Sequence, residues 1–243
     1  MPPCQKDEGA LSRAVAAAGR DAIELLRRAR IAVFGVGGVG GWCAETLVRT
    51  GAGDVTIVDP DKVCKSNVNR QAVATMPAVG SPKVEVFAER LAAINPSAAI
   101  RPVRERYCAD TATLFDFADF DYVIDAIDSL EDKALLVRSA LASPGTVLFS
   151  SMGAALRLDP LRVRISSFRK VQGDALARAL RGRLNRSGGI PERDFDCVWS
   201  DERPVPAEGG VRGSLMQVVA VFGCALASLV VGDLRRKAAE MRA

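Results

Sequence analysis

The stretch "RIAVFGVGGVGGWCAETLVRTG", Arg30 to Gly51, decides the fold. Its apolar start, Ile31 to Phe34, is strand-like, and a glycine turn, Gly35 to Gly41, follows directly. Apolar spacing at Trp42, Leu47 and Val48 then predicts a helix that stops at Gly51. The turn matches G-x-G-x-x-G at Gly35, Gly37 and Gly40, with Gly38 and Gly41 as extra glycines. Glycines bring backbone N–H groups close to phosphate oxygens at a helix N-terminus, where the helix dipole favours anions. Alone, such a turn suits redox enzymes that use NAD, methyltransferases and adenylating enzymes that use ATP.

Reading outward, "DVTIVDPD" is a second buried strand halted by Pro60, with Asp59 at its end. A carboxylate about 20 residues past the glycine turn can accept ribose hydroxyls. A polar loop, "KVCKSNVNRQAVAT", leads to "SPKVEVFAERLAAINP", where Ser81 is a candidate cap, Pro82 suits the first helical position and Pro96 ends the helix. Further strands are expected at "AIRPVRE", "DYVIDAID" and "TVLFSS", with a helix over "LEDKALLVRSALASPG". Strands alternating with helices predict an α/β fold, a Rossmann-like doubly wound sheet, mostly parallel. After Gly153 the pattern changes. "DPLRVRISSF" alternates like an antiparallel strand, "KVQGDALARALRGRLNRSGG" is an amphipathic helix, and "IPERDFDCVWSDERPVPAEGGVRG" reads as a polar Pro/Gly-rich loop near the site. The expected organisation is an N-terminal helical arm over 1–29, a nucleotide-binding core over 30–153 and an antiparallel C-terminal extension over 154–243.

Composition narrows the chemistry. The 243 residues carry a mild net charge of +4, six scattered cysteines with no C-x-x-C pair, and no histidine. Without histidine, Ser-His-Asp and Cys-His nucleophilic machinery and H-E-x-x-H metal sites are excluded. Charge stabilisation around an activated phosphate remains open, because it runs on Arg, Lys, Asp and Glu. The cysteines and the N-terminal sequence read as those of a cytoplasmic protein with reduced thiols. Cys197, beside "WS" in a polar stretch, is either a reactive thiol or an ordinary cysteine. The apolar tail "SLMQVVAVFGCALASLVVG", Ser214 to Gly232, is marginal for a membrane span and is expected to be a buried core helix.

The residues that separate the classes follow the second strand. "VDPDKVCKSNVNRQ" supplies Asp61, Asn67, Arg70 and Gln71, and Lys83 starts the next helix. A triphosphate carries more charge than a dinucleotide, and its transfer is accelerated by Arg and Lys holding the outer phosphates. "DAIDS" places Asp125 and Asp128 at the carboxyl edge of the sheet, in the crevice where doubly wound folds bind ligands. One carboxylate facing a polyphosphate suits Mg²⁺, which takes one or two carboxylates plus substrate oxygens.

These stretches together resemble the adenylation superfamily of ThiF, MoeB and the ubiquitin-activating enzymes, from about Gly19 to Leu234. The resemblance implies that a substrate carboxylate attacks the α-phosphate of ATP. It further implies that Gly35, Gly37, Gly38, Val39, Gly40, Gly41, Asp59, Asp61, Asn67 and Gln71 hold ATP, that Arg70, Lys83 and Asp128 are catalytic, and that Asp128 binds Mg²⁺. Sulfur-carrier adenylyltransferases typically carry C-x-x-C pairs, and this chain has none. "DYVIDAIDS", "DPLRVRISS", "DCVWS" and "VFGCALAS" are more similar to the tRNA-directed dehydratase branch, which closes a ring on threonylcarbamoyladenosine in the anticodon loop. That likeness implies tRNA as partner through its anticodon stem-loop, a homodimer, sulfur-transfer partner proteins and no membrane. Arg13 is the candidate for a contact across the dimer, and Gly41 stands where the family often has Ser.

A tRNA substrate predicts a basic surface, and Arg162, Arg164, Arg169, Lys170, Arg178, Arg181, Arg183, Arg186 and Arg193 crowd the second half. Phe168, Phe195 and Trp199 are the candidates for base stacking.

Overall fold

The computed structural model describes residues 9–243. Cys4 lies outside them. Two short helices, α1 (Ser12–Ala18) and α2 (Arg20–Arg28), lead into β1 (Arg30–Phe34), the glycine turn and α3 (Gly38–Thr50). Then come β2 (Asp54–Val58), a long irregular segment, α4 (Lys83–Ile94), β3 (Ala99–Val103), β4 (Tyr122–Asp125), α5 (Leu130–Ala142) and β5 (Val147–Ser151). The C-terminal part adds β6 (Val163–Ser167), α6 (Ala175–Arg186), β7 (Asp196–Ser200) and α7 (Met216–Glu240).

The strands form one seven-stranded sheet in the order β3-β2-β1-β4-β5-β7-β6. Every pairing is parallel except β6 with β7. The mostly parallel sheet with an antiparallel C-terminal edge is the expected α/β class. Period-two alternation sends Ile31 and Val33 of β1 to one face and Ala32 and Phe34 to the other. The first face packs against α2, α3, α4 and α7, the second against α5 and α6, which makes two apolar cores around one sheet. Each fully buried Leu, Ile or Phe on these faces contributes about 1.5–3 kcal/mol.

Three expectations change. β7 forms inside the segment read as a loop, because Phe195, Cys197 and Val198 are buried between β5 and β6. Its apolar alternation is short and set among charges and prolines, so sequence pattern alone hid it. Phe168 and Phe195 are buried and stack on each other with centroids 4.8 Å apart, so they are core and not open platforms for bases. Pro82 stands at the cap of α4 and Lys83 takes the first helical position, with no side chain capping the turn. Cys64 and Cys224 are exposed, and Cys43 and Cys197 are buried.

The apolar C-terminal segment is α7, the one helix among the described residues long and apolar enough to cross a membrane. Instead it lies along α3, with Val218, Val219, Phe222, Leu226 and Val230 in the core. Gly223 makes the close approach possible. A Cβ there would stand 2.6 Å from the Val39 carbonyl oxygen and 2.8 Å from the Cys43 nitrogen.

Candidate active site

β1 and β4 are neighbours in the sheet, and the chain leaves them in opposite directions, α3 to one face and α5 to the other. This is the switch point where a doubly wound sheet opens a crevice beyond its strand ends. A cavity of about 930 Å³ opens there. Gly35 follows β1 with φ of +85°, and a Cβ on it would lie 2.8 Å from the Ala126 carbonyl oxygen at the end of β4. Gly40 is still more constrained, since its Cβ would lie 1.8 Å from the Gly35 carbonyl oxygen. These two glycines let the turn fold back against the β4 loop. Gly37, Gly38 and Val39 line the cavity at the start of α3, with no side chain capping the helix. First-turn N–H groups without a partner are a ready anion site. Gly40 and Gly41 lie off the cavity wall, and Gly41 has ordinary van der Waals room for a Cβ.

One wall carries the residues predicted from "VDPDKVCKSNVNRQ". Asp59 is buried at the end of β2, and its carboxylate accepts the Val36 N–H at 2.9 Å and the Asp61 N–H at 2.9 Å. It therefore braces the glycine turn while lining the cavity. Lys83 is only 4% exposed, with its ammonium 2.8 Å from Asp61 Oδ2 and 3.7 Å from Asp59 Oδ1. Arg70 is half-buried; one Nη donates to the Ser66 carbonyl at 2.7 Å and to Asn69 at 3.0 Å, leaving its other N–H groups to the cavity. Asn67 Oδ1 accepts the Cys64 N–H and so shapes the short turn between them. Gln71 is buried against the cavity, and its Oε1 has no hydrogen-bond partner. A buried orphan acceptor at the rim of a glycine turn fits a ligand hydroxyl or amine.

The opposite wall comes from the ends of β3, β4 and β5. Glu105, Arg106 and Tyr107 line it beside Phe34 and Val58. Arg106 is paired with Asp132 at 2.8 Å, which raises its guanidinium further, and burial pushes the Tyr107 phenol up. Asp128 faces the cavity from the loop after β4, exposed and with no ion-pair partner among the described residues. The far end is lined by Ser151 to Ala155, Leu176, Arg212 and Ser214. It is braced by Asp174, which caps α6 through the Ala177 N–H at 2.8 Å and accepts the Gly153 N–H at 3.2 Å.

Every predicted nucleotide or catalytic residue except Gly40 and Gly41 thus reaches one cavity. The oxygen-only donor at Asp128 fits Mg²⁺, which needs few protein carboxylates when phosphates supply the rest. Among the described residues no cluster of three or more His, Cys, Asp or Glu forms a self-sufficient metal cage.

Sequence reasoning passed over Lys133. It is 0% exposed and 2.8 Å from Asp125, which is also 0% exposed. Removing one partner of such a pair costs about 3–5 kcal/mol. The signal was helical phase: Lys133 leads the apolar stripe Leu136, Val137 and Ala140 at i+3, i+4 and i+7. Cys197 sits next to Ser150 in register, close to this pair, and burial pushes its thiol well up, against the pull of Lys133. It is an ordinary core cysteine.

The basic surface is thinner than the sequence suggested. Arg162 and Arg164 pair with Asp201, Arg183 with Glu131, and Arg169 donates to the carbonyls of Pro191 and Glu192. Arg181 lies over the Phe168 ring and donates to two carbonyls, and Arg193 does the same for the carbonyls around Ser143. Lys170, Arg178 and Arg186 remain without an ion-pair partner among the described residues.

A glycine turn with Arg70, Lys83 and the unpaired Asp128 around one cavity, at the switch point of a Rossmann-like sheet, is the arrangement of a nucleotide-dependent enzyme. The chain belongs to the ThiF family, whose model matches residues 11–237. It is 38% identical over 201 residues to the tRNA threonylcarbamoyladenosine dehydratase of Bacillus subtilis (strain 168), covering 83% of this chain and 78% of that one. It is 35% identical to the Escherichia coli (strain K12) enzyme of the same name, covering 91% of this chain and 92% of the other. The crystal structure of the E. coli tRNA N6-threonylcarbamoyladenosine dehydratase in complex with ATP superposes with a TM-score of 0.89 at 35% identity, covering 95% of this chain and 96% of that one.

Proposed function

We propose that this chain is an ATP-dependent tRNA threonylcarbamoyladenosine dehydratase. It would activate the threonyl carboxylate of the modified adenosine in the anticodon loop and close a ring with net loss of water. The observation that carries this is the convergence of the α3 N-terminus, Arg70, Lys83 and Asp128 on one cavity at the switch point, in a chain similar along most of its length to enzymes of that name. The threonyl carboxylate attacks the α-phosphate, and the bond to the pyrophosphate breaks. Arg70 and Lys83 hold the charge that grows on the leaving group. The neighbouring carbamoyl group then attacks the acyl carbon and expels AMP. This second step is intramolecular, so orientation supplies most of its acceleration and no enzyme nucleophile is required. Gly35, Gly37, Gly38 and Val39 would cradle the nucleotide, with Asp59, Asp61, Asn67 and Gln71 along one side. Asp128 would hold Mg²⁺, which when bound neutralises phosphate charge.

The tRNA would approach the open end of the cavity past Arg212, with Lys170, Arg178 and Arg186 as the cations left to meet phosphates. A homodimer is part of the proposal. The outer side of α7 exposes Val221 and Cys224 beside Gln217 and Ser228, a surface open to a second copy, and Arg13 stands exposed on α1. A cytoplasmic setting and sulfur-transfer partner proteins complete the proposal.

The test uses purified protein, threonylcarbamoylated tRNA, ATP and Mg²⁺, followed by nuclease digestion and mass spectrometry of the nucleosides. The modified adenosine should lose the mass of one water only when ATP is present. Unchanged mass, with pyrophosphate released instead on a small protein ending in Gly-Gly, would move the assignment to a sulfur-carrier adenylyltransferase. Tight NAD binding without ATP binding would move it to an oxidoreductase.

A further inference from the structure

Behind Asp128 stands a buried ion pair that reaches the cavity only through backbone. Lys133 Nζ lies 2.8 Å from Asp125 Oδ2, with both side chains fully buried. The same Nζ donates to the Ile127 carbonyl at 3.0 Å. Asp125 Oδ1 accepts the Ile127 N–H at 3.2 Å, and Oδ2 accepts the Ser150 hydroxyl at 2.6 Å. Both polar backbone groups of Ile127 are therefore held from below, and the next residue is Asp128. Neither Lys133 nor Asp125 lines the cavity, whereas Ala126, Ile127 and Asp128 all do.

Cohesion alone does not explain the pair. Lys133 heads a stripe of α5 that is otherwise apolar, and apolar side chains of similar volume often hold a core as well as a buried ion pair. What apolar side chains cannot do is fix the plane of the Ile127 peptide groups. On the other side, the Ala126 carbonyl is pressed against Gly35. The loop after β4 is thus clamped between the glycine turn and the buried pair, with one carboxylate projecting.

We propose that Lys133, with Asp125 as its counter-charge, is a positioning residue for Asp128: it sets the backbone from which that carboxylate meets the metal on ATP. This rests on the proposed role of Asp128. Groups that hold a metal ligand in place change metal affinity or activity by about 10–100-fold when lost.

Lys133→Met alone leaves Asp125 buried without its partner and is liable to unfold. The double variant Lys133→Met/Asp125→Asn leaves no lone charge and keeps an acceptor for the Ile127 N–H, so it carries the test. Thermal unfolding establishes that it is folded, and calorimetry measures ATP affinity in EDTA and in saturating Mg²⁺. The double variant should keep its metal-free ATP affinity and lose about 10–100-fold of the tightening that Mg²⁺ confers. Its kcat should fall while KM for tRNA stays in place. A folded double variant with the wild-type response to Mg²⁺ and wild-type kcat overturns the proposal. Asp128→Asn keeps the two ideas apart. If it abolishes the Mg²⁺ response while the double variant keeps it, Asp128 is the ligand and Lys133 does not position it. If Asp128→Asn leaves the Mg²⁺ response intact, the role of Asp128 fails and the positioning role falls with it.

Discussion

Lys83 and Arg70 show how one wall of the cavity divides its work. Lys83 is buried and fixed between two carboxylates, so its position is set before any ligand arrives. Arg70 is tethered on one side, to Ser66 and Asn69, and keeps the rest of its guanidinium for the cavity. Preorganised charge aimed at a leaving group acts in the transition state more than in binding. Arg70→Ala should therefore bind ATP nearly as well as the parent and lose about 10²–10³-fold in turnover. Equilibrium ATP titration beside single-turnover kinetics checks this, and unchanged turnover would remove Arg70 from the mechanism. At this scale the sequence was informative where residue type and spacing were unusual, as in the glycines, Asp59 and "NRQ". Lys133 was easy to pass over, because a lysine on a helix ordinarily reads as a solvated charge and only its phase with the apolar stripe of α5 marks it. The sequence overstated the free arginines, because partners such as Asp201 for Arg162 lie 39 positions away and leave no local trace.

Among the elements, α3 and α7 matter most to the site, because the first turn of α3 is the cavity floor and α7 is its backing. The side chain of Val219 on α7 would stand 3.3 Å from a Cβ on Gly38, and Gly223 sits against Val39 and Trp42. Gly223→Ala forces the helices apart against backbone atoms, which costs about 1–3 kcal/mol of stability. It should also weaken ATP binding, because Val39 moves with α3. Chemical denaturation and ATP titration of the same variant test the pair of effects; a stable variant with parental affinity would contradict the role given to α7. Elements with a full period of apolar residues, such as β1, β4 and α3, were legible in the sequence. β7 was not, since five residues between the charged stretches Glu192–Asp194 and Asp201–Arg203 carry too little pattern and acquire their place only from β5 and β6.

For the whole molecule, the absence of histidine has a measurable consequence. No side chain has an ordinary pKa between about 6 and 7.5, so thermal stability should be flat across that window. Acid is different. Burial would raise Asp121 and Asp233, but hydrogen bonds from Arg30 on the one hand and from Tyr122, Lys237 and Arg236 on the other hold both below the usual carboxylate range. A carboxylate lowered by folding stabilises above its unfolded pKa, about 3.9 for Asp, and loses that contribution as pH falls through the lowered value. Asp196, raised by burial and by Asp194, works in the opposite sense and offsets only part of this. Melting temperature should therefore hold level near neutrality and drop below about pH 4; a step near pH 6.5 would contradict the assignment. The activity itself is a property of the whole assembly of cavity, tRNA and nucleotide, and one isotope experiment reaches its centre. If the threonyl carboxylate of the modified tRNA is labelled with ¹⁸O and turned over with unlabelled ATP, attack on the α-phosphate predicts one labelled oxygen in the AMP released. Cyclised nucleoside accompanied by unlabelled AMP, or by ADP, would contradict carboxylate adenylation as the activating step.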